Sequence, residues 1–203
     1  MCSTWVGAGV GFFSRHLLER GAAAATCVDP GYPADRDETH AGRPLLFRRA
    51  PTDAPSDLIL MMDVLEHVDD DGGLAAGYIR AARPGARLVA TVPAFNWMWS
   101  AHDDFLEHRR RYTLHALQAV LRAAGLRVEG GRYLYGLLLP VAAAARLPQR
   151  ALRRLGRPVP PASAMRPVGP LANALLLAAC RLEARLPGNP LAGITAMAWG
   201  TVP

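Results

Sequence analysis

Three glycines at alternate positions, Gly7, Gly9 and Gly11, stand between a strand-like segment, Cys2 to Val6, and a helix-like run, Phe12 to Arg20. A junction of strand, glycine loop and helix lets a ligand lie against bare backbone. The first turn of the helix then offers unpaired N–H groups to a carboxylate or phosphate. No other feature constrains the fold as much, because a strand end, a tight turn and a helix start must meet within a few residues. The spacing Gly-x-Gly-x-Gly departs from the Gly-x-Gly-x-x-Gly of dinucleotide folds, since position 12 is Phe12. A tight turn that binds nothing would use the same residues.

Downstream, apolar runs end in acids or prolines. Ala23 to Val28 is stopped by Asp29-Pro30, and Pro44 to Phe47 is a weaker run. Asp57 to Met62 is a stronger one ending at Asp63, and Arg87 to Val92 is ended by Pro93. Each reads as a strand. Gly31 to Gly42, polar and turn-rich, reads as a loop or a short frayed helix. Gly72 to Ala82 has helical composition. Leu114 to Ala124 is an amphipathic helix with Leu114, Leu117, Val120 and Leu121 on one face and Gly125 as its stop. Arg127 to Leu134 reads as a further strand. Strands alternating with helices predict a doubly wound α/β sheet, mostly parallel, with ligands at the carboxyl ends of the strands. The glycine loop, Asp29, Asp63 and the segment after Pro93 are therefore expected on one face. A carboxylate at Asp29 can accept both hydroxyls of a ribose, or simply open a turn before Pro30.

All 23 basic residues are arginine. That excludes mechanisms built on lysine: a P-loop, a Schiff base, a Tyr-x-x-x-Lys dehydrogenase. No apolar run reaches the ~18–20 residues that span a bilayer, and no signal-peptide pattern follows Met1. Cys2, Cys27 and Cys180 lack metal-ligand spacing and suggest free thiols in a reducing cytoplasm, which is the expected location.

Charge is unevenly spread. Residues 1–126 hold 13 Arg against 15 Asp and Glu, a net of −2, whereas residues 127–203 hold 10 Arg against Glu129 and Glu183, a net of +8. In that last third, Tyr133 to Ala145 is apolar around Pro140, Leu147 to Pro161 is rich in Arg and Pro, and Gly169 to Leu186 is an alanine–leucine helix. Ile194 to Val202 returns as a last strand. Two readings fit. These helices pack on the sheet or on a second subunit, or they form an apolar lid with an arginine fringe. The lid would suit a lipid-like substrate or peripheral contact with an anionic membrane. No aromatic–basic ladder points to nucleic acid.

Taken together, Gly7-x-Gly9-x-Gly11, Asp29, the segment Asp63-Val64-Leu65-Glu66-His67 and the strand ending at Pro93 resemble the class I S-adenosylmethionine-dependent methyltransferases over roughly residues 5–134. The resemblance implies a Rossmann-like, seven-stranded sheet, trimmed at its N-terminus, with a helical insertion before the last strand. It implies one domain over 1–203: a cofactor core to 134, a helical arginine-rich insertion or lid over 135–190, and a last strand over 191–203. It implies S-adenosylmethionine as cofactor, held by Gly7, Gly9, Gly11, Asp29, Asp63 and Val64. Asp63 and Glu66 also have the spacing of a capping box. Two departures stand out. The family usually has an acid where this chain has Trp5, and a helix ahead of the first strand where this chain has none. The expectation is either a start upstream of Met1 or a trimmed enzyme.

The segment from Pro93 to Tyr112 is loaded with aromatic and titratable groups and resembles a bacterial methyltransferase subgroup with Val-Pro-Ala, His-Asp and His-x-Arg-Arg-Tyr at this place. Methyl transfer from a sulfonium is an in-line displacement, so the protein mainly aligns the acceptor and, where needed, takes its proton. His102, Asp103 and His108 are the candidate catalytic residues. Trp97, Trp99, Arg110, Arg111 and Tyr112 are the candidate substrate-lining residues, and no metal is expected. Alternatively, His108 and Tyr112 anchor the next helix while Arg109 to Arg111 pair with Asp103, Asp104 and Glu107. The function expected is a methyltransferase acting on a small-molecule or lipid-like acceptor. Its competitors are a non-catalytic methyltransferase-like subunit and an NAD(P)-dependent oxidoreductase.

Overall fold

Strand β1 (Cys2–Val6) lies at the centre of an eight-stranded sheet in the computed structural model, which describes residues 1–52, 55–164, 168–186, 188–189 and 191–203. The other strands are β2 (Ala24–Val28), β3 (Arg36–His40), β4 (Arg43–Arg48), β5 (Leu58–Met62), β6 (Arg87–Pro93), β7 (Arg127–Leu134) and β8 (Thr195–Thr201), in the order β3-β4-β2-β1-β5-β6-β8-β7. β1 runs parallel to β2 and β5, β2 parallel to β4, and β5 parallel to β6. Central parallel strands are covered on both faces, which is why Leu58–Met62 reads as an unbroken apolar run and Ser3 to Val6 are all buried.

The α/β class and the mostly parallel sheet agree with the sequence. Among the described residues the sheet has eight strands, one more than the seven the resemblance implied. The extra one is β3, in the polar segment read as a loop or frayed helix. It pairs antiparallel with β4 through a two-residue turn at Ala41 and Gly42, both at positive φ. Its sequence, Arg-Asp-Glu-Thr-His, is charged because it forms the sheet edge, where charge discourages pairing with other chains.

Helices α1 (Phe12–Glu19) and α2 (Asp71–Ala81) connect β1 to β2 and β5 to β6. Asp70 caps α2 by accepting from the Gly73 amide at 2.8 Å. The remaining helices are α3 (Ala101–Phe105), α4 (Leu114–Ala123), α5 (Leu139–Arg154) and α6 (Pro170–Glu183). Helix α5 runs through the boundary the sequence suggested between an apolar stretch and an Arg–Pro stretch, with Pro148 inside it.

The chain forms two compact units. The first comprises Met1–Thr91, Gln118–Gly130 and Ala198–Pro203, and the second Val92–Leu117 and Gly131–Met197. In the first, Leu18 of α1 packs with Ala25 and Cys27 of β2, Leu45 and Phe47 of β4, and Tyr32. In the second, Ala94 bridges Tyr112, the Leu114 amide donates to the Tyr133 hydroxyl at 2.9 Å, and the rings of Phe95 and Tyr133 stack at 5.0 Å. Among the described residues, no helix is long and apolar enough to cross a membrane.

Candidate functional site

Chain order in the sheet reverses at β1. The path runs from β1 outward to β2 and β4, then returns to β5 and β6 on the other side. In open parallel sheets a crevice forms at such a switch point, outside the carboxyl ends of the strands. Here that position holds a cavity of about 460 Å³, lined by Val6 and Gly7 after β1, Val28 and Asp29 after β2, and Asp63 and Val64 after β5. Leu74 and Tyr78 of α2 contribute a further wall, and burial pushes the Tyr78 hydroxyl pKa up to about 12, so it stays protonated.

Gly7 has φ of +64°, and a Cβ there would stand 2.6 Å from Cγ2 of Val64. Both the backbone and the cavity wall therefore require glycine. Gly11, at φ +74°, caps the start of α1, and a Cβ there would stand 3.0 Å from the Phe47 ring and 3.2 Å from the Cys27 sulfur. Four of the loop's amides already have acceptors: Gly7 and Ala8 donate to Val28 O, Gly11 to Ala8 O, and Gly9 to Asp29. The loop thus supplies close approach, and the first turn of α1 offers amides to an anion.

Asp29 is the hinge of this arrangement. One carboxylate oxygen accepts from the Gly9 amide at 3.0 Å and the other from the Gly31 amide at 2.9 Å. Each oxygen keeps a second acceptor position. The Tyr32 hydroxyl donates to Gly9 O at 2.6 Å, so Gly9 is held at both its polar groups. Tyr32 was not singled out from sequence, where it sits in an apparent loop. Asp63 has φ of +54°, an unusual conformation for a residue with a Cβ. Its amide donates to Thr91 O at 2.9 Å, and the Thr91 hydroxyl donates to its carboxylate at 3.3 Å. The short turn Leu65–His67 has Val64 at its N-terminal position, one residue later than the capping box read into Asp63 and Glu66 expects. Trp5 does not line the cavity; its indole stacks on Phe13 at 5.0 Å.

In the second unit, the segment after β6 folds around a buried carboxylate. Asp103 has no exposed surface and sits in a full set of donors. The Ser100 amide and hydroxyl donate to Oδ2 at 2.8 and 2.9 Å, while His108 Nδ1 at 2.9 Å and Arg111 Nε at 2.6 Å reach Oδ1. Arg111 is itself buried and donates to Ala94 O at 2.9 Å. Burial alone would raise the Asp103 pKa, but the bonds from His108 and Arg111, with the Arg111 charge, hold it well below the usual carboxylate range. Of the pairs expected for Arg109 to Arg111, Arg111 with Asp103 forms, whereas Asp104 pairs with Arg153 and accepts from the Trp99 indole at 2.8 Å. Trp97 is 44% exposed and Tyr112 is buried.

The two histidines differ in kind. A carboxylate can only accept, so His108 carries a proton on Nδ1, which lies 2.9 Å from Asp103. His102 is the reverse: its Nδ1 accepts from the Ala164 amide at 3.3 Å, which places the proton on Nε2. Burial, only partly opposed by the Asp103 charge, pushes the His102 pKa below its ordinary value, so it is neutral at pH 7. Ring-nitrogen NMR should therefore report a protonated Nδ1 in His108 and the Nε2–H tautomer in His102. An unprotonated Nδ1 in His108 would contradict the bond to Asp103.

Residues 6–129 match the methyltransferase domain family. The chain belongs to that family. No curated protein matches the chain. Several solved structures share its fold. A chain from the complex of the Haloferax volcanii Trm112 methyltransferase activator with a methyltransferase superposes with a TM-score of 0.58 at 15% identity, covering 100% of this chain and 82% of that one. An S-adenosylmethionine-dependent methyltransferase from Mesorhizobium loti gives 0.55 at 16% identity, covering 98% and 90%. Phosphoethanolamine N-methyltransferase 2 of Haemonchus contortus, in complex with S-adenosyl-L-methionine, gives 0.56 at 12% identity, covering 100% and 49%. The resemblance to class I S-adenosylmethionine-dependent methyltransferases, read from the glycine loop and the acids after the strands, is thus correct. The matched residues include every lining residue of the first-unit cavity.

Proposed function

We propose that this chain is an S-adenosylmethionine-dependent methyltransferase acting on a small-molecule or lipid-like acceptor. The observation that carries the reading is the convergence of Gly7, Asp29, Asp63 and Val64 on one cavity at the switch point of a methyltransferase-family sheet. The residues present fit the cofactor. Gly7 admits close backbone approach, Asp29 keeps two acceptor positions for a pair of sugar hydroxyls, and Val6, Val28, Val64 and Leu74 give apolar walls. When bound, the cofactor supplies a methyl group already activated by its sulfonium charge.

The protein's tasks are then to hold, align and deprotonate. Asp29 holds the sugar, and the first turn of α1 takes the carboxylate. His108, held by Asp103, and His102 are the candidates to take the acceptor's proton. The Ala164 amide occupies Nδ1 of His102 and must be released before that ring can act. A small or apolar acceptor is supported by a second cavity of about 460 Å³ within the second unit, lined in part by Tyr133, Tyr135, Leu137 and Leu186, with Arg132 and Glu183 as its charged groups. A cytoplasmic location is part of this reading and is supported by three free cysteines.

Calorimetric titration with S-adenosylhomocysteine and, separately, with NAD tests the assignment. Saturable heat with S-adenosylhomocysteine and none with NAD is expected. The opposite pattern would make the chain an oxidoreductase, and heat with neither would make it a methyltransferase-like subunit without cofactor.

A further inference from the structure

Helices α5 and α6 bury no residue at all, and their exposed apolar side chains are not scattered. On α6, Leu171, Leu175, Ala178 and Leu182 recur at helical spacing and form one stripe, with the leucines 74%, 64% and 54% exposed. Residues on the opposite side, Leu176, Ala179, Cys180 and Glu183, are half-buried. Helix α5 repeats the pattern: Val141, Ala145, Pro148 and Leu152 form an exposed stripe, continued past the helix end by Leu155. A water-facing helix has no use for a leucine stripe, and each such patch costs solubility unless something covers it.

The charge around these stripes says what covers them. Residues 131–203 contain nine arginines and one acid, Glu183. Arg146 and Arg153 are tied down, to Met98 O and to Asp104, and Arg150 lies over the Trp97 ring. Among the described residues, Arg154, Arg157, Arg181 and Arg185 have no acidic partner. Arg181 and Arg185 flank the α6 stripe. On α5, an open groove of about 500 Å³ is lined by Leu147, Arg150, Ala151, Arg154 and Leu155, which sets two guanidinium groups among apolar side chains. Leucines beside unpaired cations match a surface that is apolar within and anionic at its face.

We infer that α5 and α6 together form a docking surface for an anionic lipid bilayer. The leucine stripes enter the boundary between headgroups and acyl chains. Arg154, Arg157, Arg181 and Arg185 meet the phosphates, and the groove on α5 receives a single phosphate headgroup. Neither helix is a spanning segment, so the attachment is peripheral and reversible. This does not depend on the cofactor assignment, and a chain that binds no S-adenosylmethionine would dock in the same way.

Flotation of the full chain with vesicles tests it. Vesicles of phosphatidylcholine with about 30% phosphatidylglycerol should bind the chain at least ~10-fold better than phosphatidylcholine alone, and salt of about 0.5 M should abolish most of that preference. Two double variants separate the contributions. Leu175→Asp with Leu182→Asp should weaken binding to the anionic vesicles by ~10-fold or more, while Arg154→Gln with Arg157→Gln should remove most of the preference for anionic over neutral lipid. All four side chains are exposed, so circular dichroism should show both variants folded. Equal binding to neutral and anionic vesicles, binding to neither, or undiminished binding of the leucine variant would overturn the inference. So would a dimer in sedimentation without lipid that the leucine variant dissociates, because a second copy of the chain would then be the occupant.

Discussion

Replacing Asp103 with alanine should lower the melting temperature by about 10 °C. The carboxylate is wholly buried and shared by Ser100, His108 and Arg111. Its removal leaves the buried Arg111 guanidinium without a counter-charge, which in comparable sites costs about 3–5 kcal/mol. For a chain of this size, each kcal/mol moves the midpoint by roughly 2–4 °C. The pH dependence follows from the direction of the Asp103 shift. Its folded-state pKa is depressed, so the contribution is complete above the unfolded value of about 4 and is lost as pH falls through the folded value. The gap in melting temperature between native and Asp103→Ala chains should therefore be constant from neutral pH down to about pH 5 and narrow in stronger acid. A variant melting within about 2 °C of the native chain would show that the pair contributes little to stability.

The second large effect concerns ligand affinity. Asp29→Ala should weaken S-adenosylhomocysteine binding by ~100-fold or more. Two hydrogen bonds to a charged carboxylate contribute about 1.5–3 kcal/mol each, and the same substitution frees the Gly9 amide that Asp29 restrains. Gly9 itself would keep only the Tyr32 hydroxyl on its carbonyl oxygen. Calorimetry on a folded Asp29→Ala chain checks this directly. A loss of less than about 5-fold would place the sugar elsewhere.

Both effects involve residues that the sequence singles out, but it shows them unequally. Gly7, Asp29 and Asp63 were legible because each follows an apolar strand, and strand ends in a parallel sheet converge. Their supports were not legible. Tyr32 reaches back 23 positions to Gly9, and Thr91 reaches back 28 to Asp63. Such contacts depend on the register of β2, β5 and β6, which no local pattern encodes. Asp103 was legible as a titratable group beside two histidines. That it accepts from Ser100 and Arg111 as well as His108 is a matter of burial, which a single sequence does not display. The charged segment Arg36–His40 reads as a loop or frayed helix by composition, yet it is a strand because β4 gives it a partner. The turn after β5 starts at Val64 and not at Asp63, because Asp63 sits at positive φ against Thr91.

The central claim is that the carboxyl ends of β1, β2 and β5 form the cofactor site. The most direct test is a crystal structure of the chain grown with S-adenosylhomocysteine. The ligand should lie in the cavity between Gly7 and Val64, with both ribose hydroxyls within hydrogen-bond distance of the Asp29 carboxylate. Density for the ligand away from that cavity, or a cavity left vacant at saturating ligand, would contradict the account.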